Sequence, residues 1–413
     1  MNGYEIKKIR SDFPMLNPNK KMQGKPLVWL DNASTTFKPK QVIDAINYYY
    51  TDATSNSHRG DYDLCFAMDK VVMETREVVA SFITSKKTEI VFTSGTTASI
   101  NLVAYGYAMK YLKEGDEILL TEAEHASNVL PWYKVKEVKG CNIGFIPLDE
   151  DGRLSVENVK ASINEKTKII AIAQVTNVLG FVAPIKEIAK LCHEKGIILV
   201  VDGAQSVPHM KIDVKDLDCD FLSFSGHKLC GPTGIGVLYG KYELLEKMDP
   251  FMSGGGNNVK FDMCGDASFL EPPMRFEAGT QNLEGIIGLK AAIEYISALG
   301  MDNINEHERE LKKYCVEKLK KTGVVTIYNE DSEAGIVTFN VDGVFAQDAA
   351  TYFNSRGIAV RSGQHCAKIL NDFLKTVATV RASFYFYTTK EEIDCLVEAV
   401  KKCKGEYLNA YFN

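Results

Sequence analysis

Short apolar runs alternate with amphipathic stretches over the first two thirds of the chain. The runs have the length and β-branched composition of buried strands; they are residues 90–93, 117–121, 143–148, 168–175, 197–202, 221–225 and 235–239. Residues 98–112 and 185–195 lie between such runs and repeat their apolar positions with helical spacing. This alternation predicts a mostly parallel seven-stranded sheet with helices on both faces. Ligands of such sheets bind beyond the carboxyl ends of the strands.

The last third of the chain has a different pattern, in which long amphipathic stretches come before short apolar runs. We predict helices at 283–299, 304–321, 347–356 and 390–402, and strands at 324–328, 336–341, 358–361 and 377–387. This order is typical of a smaller α+β domain. We therefore predict an N-terminal segment 1–27 that packs with the small domain, a large domain 28–285 and a small domain 286–413. Residues 253–268, rich in Gly, Asn and Asp, are predicted to be flexible.

Composition narrows the class of protein. A chain of 413 residues is long enough for two domains, and 45% hydrophobic with 25% charged residues is typical of a globular enzyme. A net charge of -6 gives no electrostatic signature of nucleic-acid binding. No apolar run approaches the ~18 residues of a membrane helix, and no signal-peptide core precedes residue 17. We therefore expect no membrane partner. The ten cysteines form no C-x-x-C pair, so we expect no metal site, and thiols in this pattern suit a reducing, cytoplasmic location.

A lysine follows the predicted strand 221–225, in the segment Ser225-Gly226-His227-Lys228. Taken alone, Lys228 would be read as an ordinary surface lysine. A lysine placed just past a buried strand can instead form a Schiff base, because burial and nearby cations lower its pKa. Ser225 and His227 could then donate hydrogen bonds to a phosphate group.

Polar side chains also follow three other predicted strands. Asp202 could pair with a protonated pyridine nitrogen, or could simply cap the next turn. Gln205 could hydrogen-bond a ring oxygen, and Asn177 could approach the same oxygen. His125 could stack on a ring, or could be an ordinary loop histidine.

Two threonines, Thr96 and Thr97, follow the predicted strand 90–93 and open a predicted helix. The backbone amides and hydroxyls of such a helix start suit a phosphate, although a Ser/Thr helix cap is the simpler explanation of this segment alone. Five strand ends that each offer a different suitable group together predict a pyridoxal 5'-phosphate (PLP) site.

These residues closely resemble the fold-type I, class V aminotransferase-like family, and within it the cysteine desulfurases of the SUF-system type. The similar segments are residues 30–33, 57–60, 93–101, 124–132, 177–180, 202–205, 225–228, 275–282, 361–366 and 381–383. They cover nearly the whole chain. The resemblance implies an α/β fold, that of a fold-type I PLP-dependent transferase, with a large domain built on the seven-stranded sheet and a smaller α+β domain.

The resemblance also implies roles for the residues that follow the strands. Lys228 would carry the cofactor, Asp202 and Gln205 would hold its ring, and His125 would stack over it. Asn177 would lie near the ring hydroxyl and the substrate. The phosphate would be bound by Thr96, Thr97, Ser225 and His227. The family is homodimeric, and the contact that one chain makes with the site of its partner maps to Thr280.

The segment from Arg361 to Cys366 identifies the chemistry further. An arginine fork suits an α-carboxylate, and a thiol beside His365 and an arginine can be stabilised as the thiolate. Most of the other cysteines fit helical or strand patterns as packing residues, whereas Cys366 lies in a loop in register with the nucleophile of the family. By resemblance Cys366 takes the sulfur of L-cysteine as a persulfide, leaving L-alanine. Arg381 matches a second arginine of the site, or forms a surface salt bridge.

The short spacing between Cys366 and Arg381 resembles the SUF-type branch, which implies a dedicated SufE- or SufU-like sulfur acceptor and a role in iron–sulfur cluster assembly. The chain departs from the usual pattern at Ala98, at Asn257 and in residues 61–65. Selenocysteine lyase, aminotransferase and epimerase reactions stay open, as does a scaffold without catalysis. Cys366 disfavours the aminotransferase and the epimerase, and an intact Lys228 with Asp202 disfavours the scaffold.

Overall fold

The computed structural model describes residues 3–57 and 60–403, so residues 58 and 59 of the similar segment 57–60 lie outside the described part. In chain order, strands β1 to β17 are Lys21–Met22, Lys25–Pro26, Val28–Trp29, Ile90–Thr93, Glu117–Thr121, Asn142–Ile146, Thr167–Ala173, Ile198–Asp202, Phe221–Ser225, Gly236–Gly240, Asn258–Phe261, Ala267–Phe269, Val325–Ile327, Ile336–Val341, Ile358–Ala359, Arg361–Gly363 and Thr379–Ser383. Helices α1 to α15 are Gly3–Ser11, Lys40–Asp52, Asp63–Phe82, Thr96–Val103, Met109–Tyr111, Leu130–Lys139, Val156–Ser162, Ile185–Glu194, Val214–Leu217, Tyr242–Leu245, Leu283–Leu299, Met301–Lys320, Ala346–Ser355, Leu370–Phe373 and Lys390–Lys402.

The predicted large sheet is present and has seven strands in the order β4-β10-β9-β8-β7-β5-β6. Strand β10 is antiparallel to both of its neighbours, and the other adjacent pairs are parallel. In the interior strand β7, Ile170 and Ile172 belong to one hydrophobic core while Ile169 and Ala171 belong to another. The sheet is therefore buried on both faces, which explains why its strands are apolar throughout instead of alternating.

The carboxyl ends of the six strands other than β10 lie along one edge of this sheet. Gly236, the first residue of the antiparallel strand β10, lies there between Ser225 of β9 and Thr93 of β4. A Cβ atom on Gly236 would come within 2.5 Å of the Gly95 Cα. The absence of a side chain at Gly236 thus lets the segment that opens α4 approach the end of β9 closely.

Two segments differ from the prediction. The predicted helix 98–112 is interrupted, because a π-helical turn at Ala104–Ala108 separates α4 from α5. Gly106 lies in that turn, and its carbonyl accepts a hydrogen bond from the Asp249 backbone N–H at 3.1 Å. The predicted flexible stretch 253–268 instead forms the β11–β12 hairpin, which Asn257 anchors by donating from Nδ2 to the carbonyls of Met252 and Arg275.

The smaller α+β unit is built on a four-stranded antiparallel sheet with the order β13-β14-β17-β16. Strand β3, from the beginning of the chain, pairs in parallel with β15, and Val28 and Leu30 pack in the core of this unit. Arg10 of α1 forms an ion pair with Glu392 at 2.9 Å. Helix α11 packs against α2 and α3 on the large sheet. The exact domain boundaries stay a prediction.

No helix within residues 3–57 and 60–403 combines the length and apolar character that crossing a membrane requires.

Candidate active site

A cavity of about 180 Å³ lies beyond the carboxyl edge of the large sheet, where the smaller unit closes over it. Its lining includes nearly all the predicted cofactor residues, which are Thr96, Thr97, His125, Asn177, Asp202, Gln205, Ser225, His227 and Lys228, and both predicted substrate arginines, Arg361 and Arg381. Thr280 does not line this cavity; it is exposed, and its hydroxyl accepts a hydrogen bond from Asn56 Nδ2 at 3.3 Å.

Lys228 ends a single 3-10 turn, Gly226–Lys228, that follows β9 directly. Burial lowers the pKa of its amine to about 8; the arginines Arg381 and Arg361 lower it further, whereas Asp202 opposes the shift. A substantial fraction of the amine is therefore uncharged near neutral pH, the form in which it can attack a carbonyl carbon.

Asp202 is the last residue of β8 and also lines the cavity. Its carboxylate accepts a hydrogen bond from the Ala204 backbone N–H at 2.9 Å. Burial raises its pKa, while that hydrogen bond and the charge of Lys228 favour the ionised form. A buried carboxylate with one described hydrogen bond is suited to pair with a cationic ring nitrogen.

Two amide side chains, those of Gln205 and Asn177, also line the cavity. Gln205 donates through Nε2 to the Ala33 carbonyl at 2.7 Å, and Asn177 donates through Nδ2 to the His365 carbonyl at 2.8 Å. The Oε1 of Gln205 and the Oδ1 of Asn177 are buried without a partner among the described residues. Buried polar atoms nearly always have a partner, so these two oxygens indicate that a polar group binds in the cavity.

Hydroxyl groups collect where α4 begins. Ser225 Oγ accepts from the Thr96 backbone N–H and contacts Thr96 Oγ1, both at 2.8 Å, and Thr97 Oγ1 contacts Ser127 Oγ at 2.7 Å. Burial and the charges of Lys228 and Lys38 lower the pKa of His227 to about 4, so its ring is neutral at pH 7. Clustered hydroxyl groups and a helix start together are suited to a phosphate.

His125 is held at the roof of the cavity by its own loop. Its Nδ1 accepts from the Ser127 backbone N–H at 3.1 Å, which leaves the proton of the neutral ring on Nε2. Burial, followed by the charges of Lys228, Arg361 and Arg381, lowers its pKa to about 4. The ring is thus uncharged in the pH range where Lys228 titrates.

The loop of His125 is anchored by a residue to which the motifs gave no role, Glu124. Its carboxylate accepts hydrogen bonds from Thr121 Oγ1 at 2.6 Å, Asn128 Nδ2 at 2.8 Å and the Ala173 backbone N–H at 3.1 Å. Burial raises its pKa to about 7 in spite of these donors. Only its position just before His125 in the sequence could have drawn attention to it.

Cys366 is exposed on a strained turn at the rim of the cavity: it does not itself line the cavity, but its neighbour His365 and the nearby Arg361 do. His365 and Cys366 have φ angles of 51° and 57°, in the left-handed region that costs a residue with a side chain about 1–3 kcal/mol. Three anchors hold the turn: the Ala126 N–H donates to the Cys366 carbonyl at 2.7 Å, Asn177 donates to the His365 carbonyl, and His365 Nε2 contacts Thr379 Oγ1 at 2.9 Å. Arg361 Nη2 lies 3.6 Å from the Cys366 Sγ.

The two arginines lie directly opposite each other on β16 and β17. Arg381 is 1% exposed and donates to the Asn177 carbonyl at 2.8 Å, to Ser34 Oγ at 2.9 Å and to Asp31 Oδ1 at 3.2 Å. The alternative that Arg381 forms a surface salt bridge is therefore wrong. Burial lowers its pKa to about 10, which keeps it charged at pH 7.

Arg361 has fewer protein partners than Arg381. Its described donors reach only Ser34 Oγ, at 3.1 Å, and the thiol of Cys366. Like charges on directly opposite residues of a sheet repel each other. Asp31 already supplies an anion to Arg381. An anion bound to Arg361 would reduce the repulsion further, and it can bind on the side of Arg361 that faces the cavity.

The sequence profile of the family described as Aminotransferase class-V matches residues 28–396. A probable cysteine desulfurase of Halalkalibacterium halodurans is 48% identical over 413 residues, which is 100% of both chains. A probable cysteine desulfurase of Staphylococcus epidermidis is 45% identical over 406 residues, 98% of both chains.

Solved structures agree with these sequence matches. The cysteine desulfurase CsdA from Escherichia coli, determined as an S-sulfonic acid form, superposes with a TM-score of 0.89 at 36% identity, covering 97% of this chain and 98% of that one. An apo cysteine desulfurase from Thermococcus onnurineus superposes with a TM-score of 0.90 at 38% identity, covering 96% and 97%. The predicted fold-type I architecture is confirmed, and the chain belongs to the class-V aminotransferase family.

Proposed function

We propose that this protein is a PLP-dependent cysteine desulfurase, which converts L-cysteine to L-alanine and keeps the sulfur as a persulfide on Cys366. The observation that carries the proposal is the position of Cys366: a thiol held on a strained, anchored turn, 3.6 Å from an arginine and at the rim of a cavity that contains a buried lysine. An aminotransferase or an epimerase has no use for a thiol there. Relatives that match the whole chain are named probable cysteine desulfurases.

The residues of the cavity fit PLP. Asp202 would pair with the ring nitrogen, the free oxygens of Gln205 and Asn177 would accept hydrogen bonds, and Lys228 would bind the cofactor covalently. The hydroxyls of Thr96, Thr97 and Ser225, with the neutral His227, would hold the phosphate. When bound, PLP supplies an electron sink that makes the α-proton of an amino acid acidic.

The side chains around the cofactor site have separate roles. Arg361 binds the α-carboxylate of L-cysteine, since its guanidinium group has few protein partners. Lys228 Nζ takes the Cα proton, because its lowered pKa leaves a free amine near neutral pH. His125, neutral and fixed by Ser127 and Glu124, would stack on the cofactor ring. Arg381 keeps Asn177 and Arg361 in place through the Asn177 carbonyl and Ser34.

The thiolate is the reactive form of a cysteine, and Cys366 attacks the sulfur of the substrate in that form, with Arg361 Nη2 3.6 Å from its Sγ. The S–S bond forms as the C–S bond of the substrate breaks, and the Cβ carbon takes up a proton. L-Cysteine and the Cys366 thiol thus become L-alanine and a Cys366 persulfide, with no external oxidant or reductant.

The proposal extends to partners. Because Cys366 is exposed at the rim, a second thiol can reach its persulfide, which supports transfer to a SufE- or SufU-like acceptor for iron–sulfur cluster assembly. We also propose a homodimer in which the exposed Thr280 of one chain contributes to the phosphate site of its partner. Exposed apolar side chains of the β11–β12 hairpin, among them Phe261 and Met263, support such an interface, and the chain just before the hairpin is tied to the Thr280 segment by the Gly279 N–H, which donates to the Gly255 carbonyl at 2.7 Å.

The test is incubation with L-cysteine while L-alanine and sulfide are measured in the presence of a thiol reductant. The proposal predicts equal amounts of both products from the wild-type protein and neither from Cys366→Ser. Cys395→Ser is the matched control, since Cys395 is also exposed but lies on α15, which contributes no lining residue, whereas Cys366 directly follows the lining residue His365. Undiminished alanine formation by Cys366→Ser would contradict the proposal.

A further inference from the structure

Lys38 lies in the loop between β3 and α2, outside the lining of the cavity. Burial lowers the pKa of its ammonium group to about 8. Its partners are all uncharged: Nζ donates to Thr35 Oγ1 at 3.3 Å, to the Thr36 carbonyl and to the His227 carbonyl at 3.2 Å. No carboxylate pairs with it in the described part of the chain.

The ammonium group of Lys38 is partly removed from water and has no carboxylate partner, which is costly because the partial charges of neutral acceptors replace its hydration only in part. We expect such a group where its hydrogen bonds hold another segment of the chain in place. Among the contacts of Lys38, the His227 carbonyl is the one that belongs to a distant segment, 189 residues away in the chain.

The His227 carbonyl is unusual in the number of donors around it. It accepts from the Thr36 backbone N–H at 3.1 Å, from Thr36 Oγ1 at 3.1 Å, from Thr35 Oγ1 at 3.2 Å and from Lys38 Nζ. A carbonyl oxygen has two lone pairs, so four donors saturate it. This oxygen belongs to the peptide that joins His227 to Lys228.

The same loop also fixes the chain on the other side of Lys228. Thr36 Oγ1 accepts from the Cys230 backbone N–H at 2.9 Å, and Cys230 has a φ of 64°, in the left-handed region. The loop of Thr35, Thr36 and Lys38 therefore contacts the backbone both immediately before Lys228 and two residues after it. Among these three loop residues, Lys38 is the one that carries a full charge.

We propose that Lys38 is a positioning residue for Lys228: its ammonium group holds the His227–Lys228 peptide so that the amine of Lys228 enters the cavity towards Asp202. The inference rests on the proposed function only in taking Lys228 as the lysine that binds PLP. Lys38 does not line the cavity, so its effect reaches the chemistry through the backbone. The charge of Lys38 also helps to lower the pKa of the His227 ring.

The test compares Lys38→Met with Lys38→Arg and with a matched control, Lys312→Met. Lys312 is another buried lysine whose pKa burial lowers, to about 7, and its Nζ also donates to uncharged groups, the Asn329 carbonyl at 2.8 Å and Ser332. It lies on α12 and does not line the cavity. Both Met variants should lose thermal stability, but only Lys38→Met should affect the cofactor site.

Two quantities are measured: the dissociation constant of PLP from the apoprotein and the pH midpoint of the absorption band of the bound cofactor. Loss of a hydrogen bond from a charged group corresponds to about a tenfold weaker affinity, so Lys38→Met should raise the dissociation constant about tenfold and shift the midpoint. Lys38→Arg should recover most of the affinity, and Lys312→Met should match the wild type in both quantities.

The inference is overturned if folded Lys38→Met matches the wild type, or if Lys312→Met shifts both quantities equally. If Lys38→Met does not fold, Thr35→Val decides instead, since it removes a donor to the same carbonyl and an acceptor of Lys38; an unchanged PLP affinity would then overturn the inference. Wild-type protein that fails to bind PLP would contradict the proposed function itself, and wild-type protein that binds PLP without consuming L-cysteine would leave the role of Lys38 standing.

Discussion

Replacing the two neighbouring arginines should separate substrate binding from stability. Arg361→Ala removes a guanidinium group whose described contacts are one hydroxyl, Ser34 Oγ, and one thiol. Arg381→Ala removes one that is 1% exposed and bonded to Asp31, Ser34 and the Asn177 carbonyl. The same substitution on opposite residues of one sheet therefore has different expected consequences.

The magnitudes follow from those partners. Loss of a charge-assisted contact with the substrate carboxylate costs about 1.5–3 kcal/mol, which raises the KM for L-cysteine about tenfold to hundredfold. Arg361 has few contacts inside the protein, so Arg361→Ala should keep nearly the wild-type free energy of unfolding. Arg381→Ala leaves the Asp31 carboxylate and the Asn177 carbonyl short of a donor, which should lower the free energy of unfolding by about 3 kcal/mol.

The assay is steady-state alanine formation over a range of L-cysteine concentrations, together with urea unfolding of each variant. Arg361→Lys is the control, because it keeps the charge and loses the fork; its KM should lie between those of the wild type and Arg361→Ala. An unchanged KM in Arg361→Ala, or a stability loss equal to that of Arg381→Ala, would refute this division of roles.

Three further predictions concern the cofactor site and the assembly. Lys228→Ala should stay folded and lose alanine formation completely, because it removes the cofactor anchor and the Cα base together; retained turnover would contradict its role. In the apoprotein, the rate at which Lys228 captures PLP, trapped by reduction, should rise with pH around a midpoint near 8 instead of 10.5, and fall about tenfold per unit below it. Because the pKa is lowered, acid protonates the amine and slows capture; a midpoint near 10.5 would refute the shift. Sedimentation should give a species near twice 45.9 kDa, and a fully active monomer would contradict a site shared through Thr280.

The sequence was most informative about the strands of the large sheet and about the residues that follow them. Parallel strands bring their carboxyl ends to one edge of a sheet, so Asp202, Ser225 and Thr96 could be expected to meet although nothing in their local sequence connects them. Strand bounds such as Ile90–Thr93 and Glu117–Thr121 were predicted correctly, because buried parallel strands are continuous apolar runs.

The sequence was least informative about the contacts that support these residues. Asp31 and Ser34 reach Arg381 across about 350 positions, and Lys38 reaches His227 across 189. Such partners follow from how the two units pack, and no periodicity or spacing encodes them. The strained turn at His365 and Cys366 was likewise missed, since neither residue type signals a positive φ angle.

The central claim is that Cys366 receives the sulfur, and mass spectrometry of the protein after brief exposure to L-cysteine tests it most directly. The wild-type protein, digested without reductant, should carry one added sulfur atom on the peptide that contains Cys366. The control variant Cys395→Ser should carry it in the same place, and Cys366→Ser should carry none. Added sulfur on a different cysteine, or none on Cys366 while L-alanine accumulates, would contradict the account.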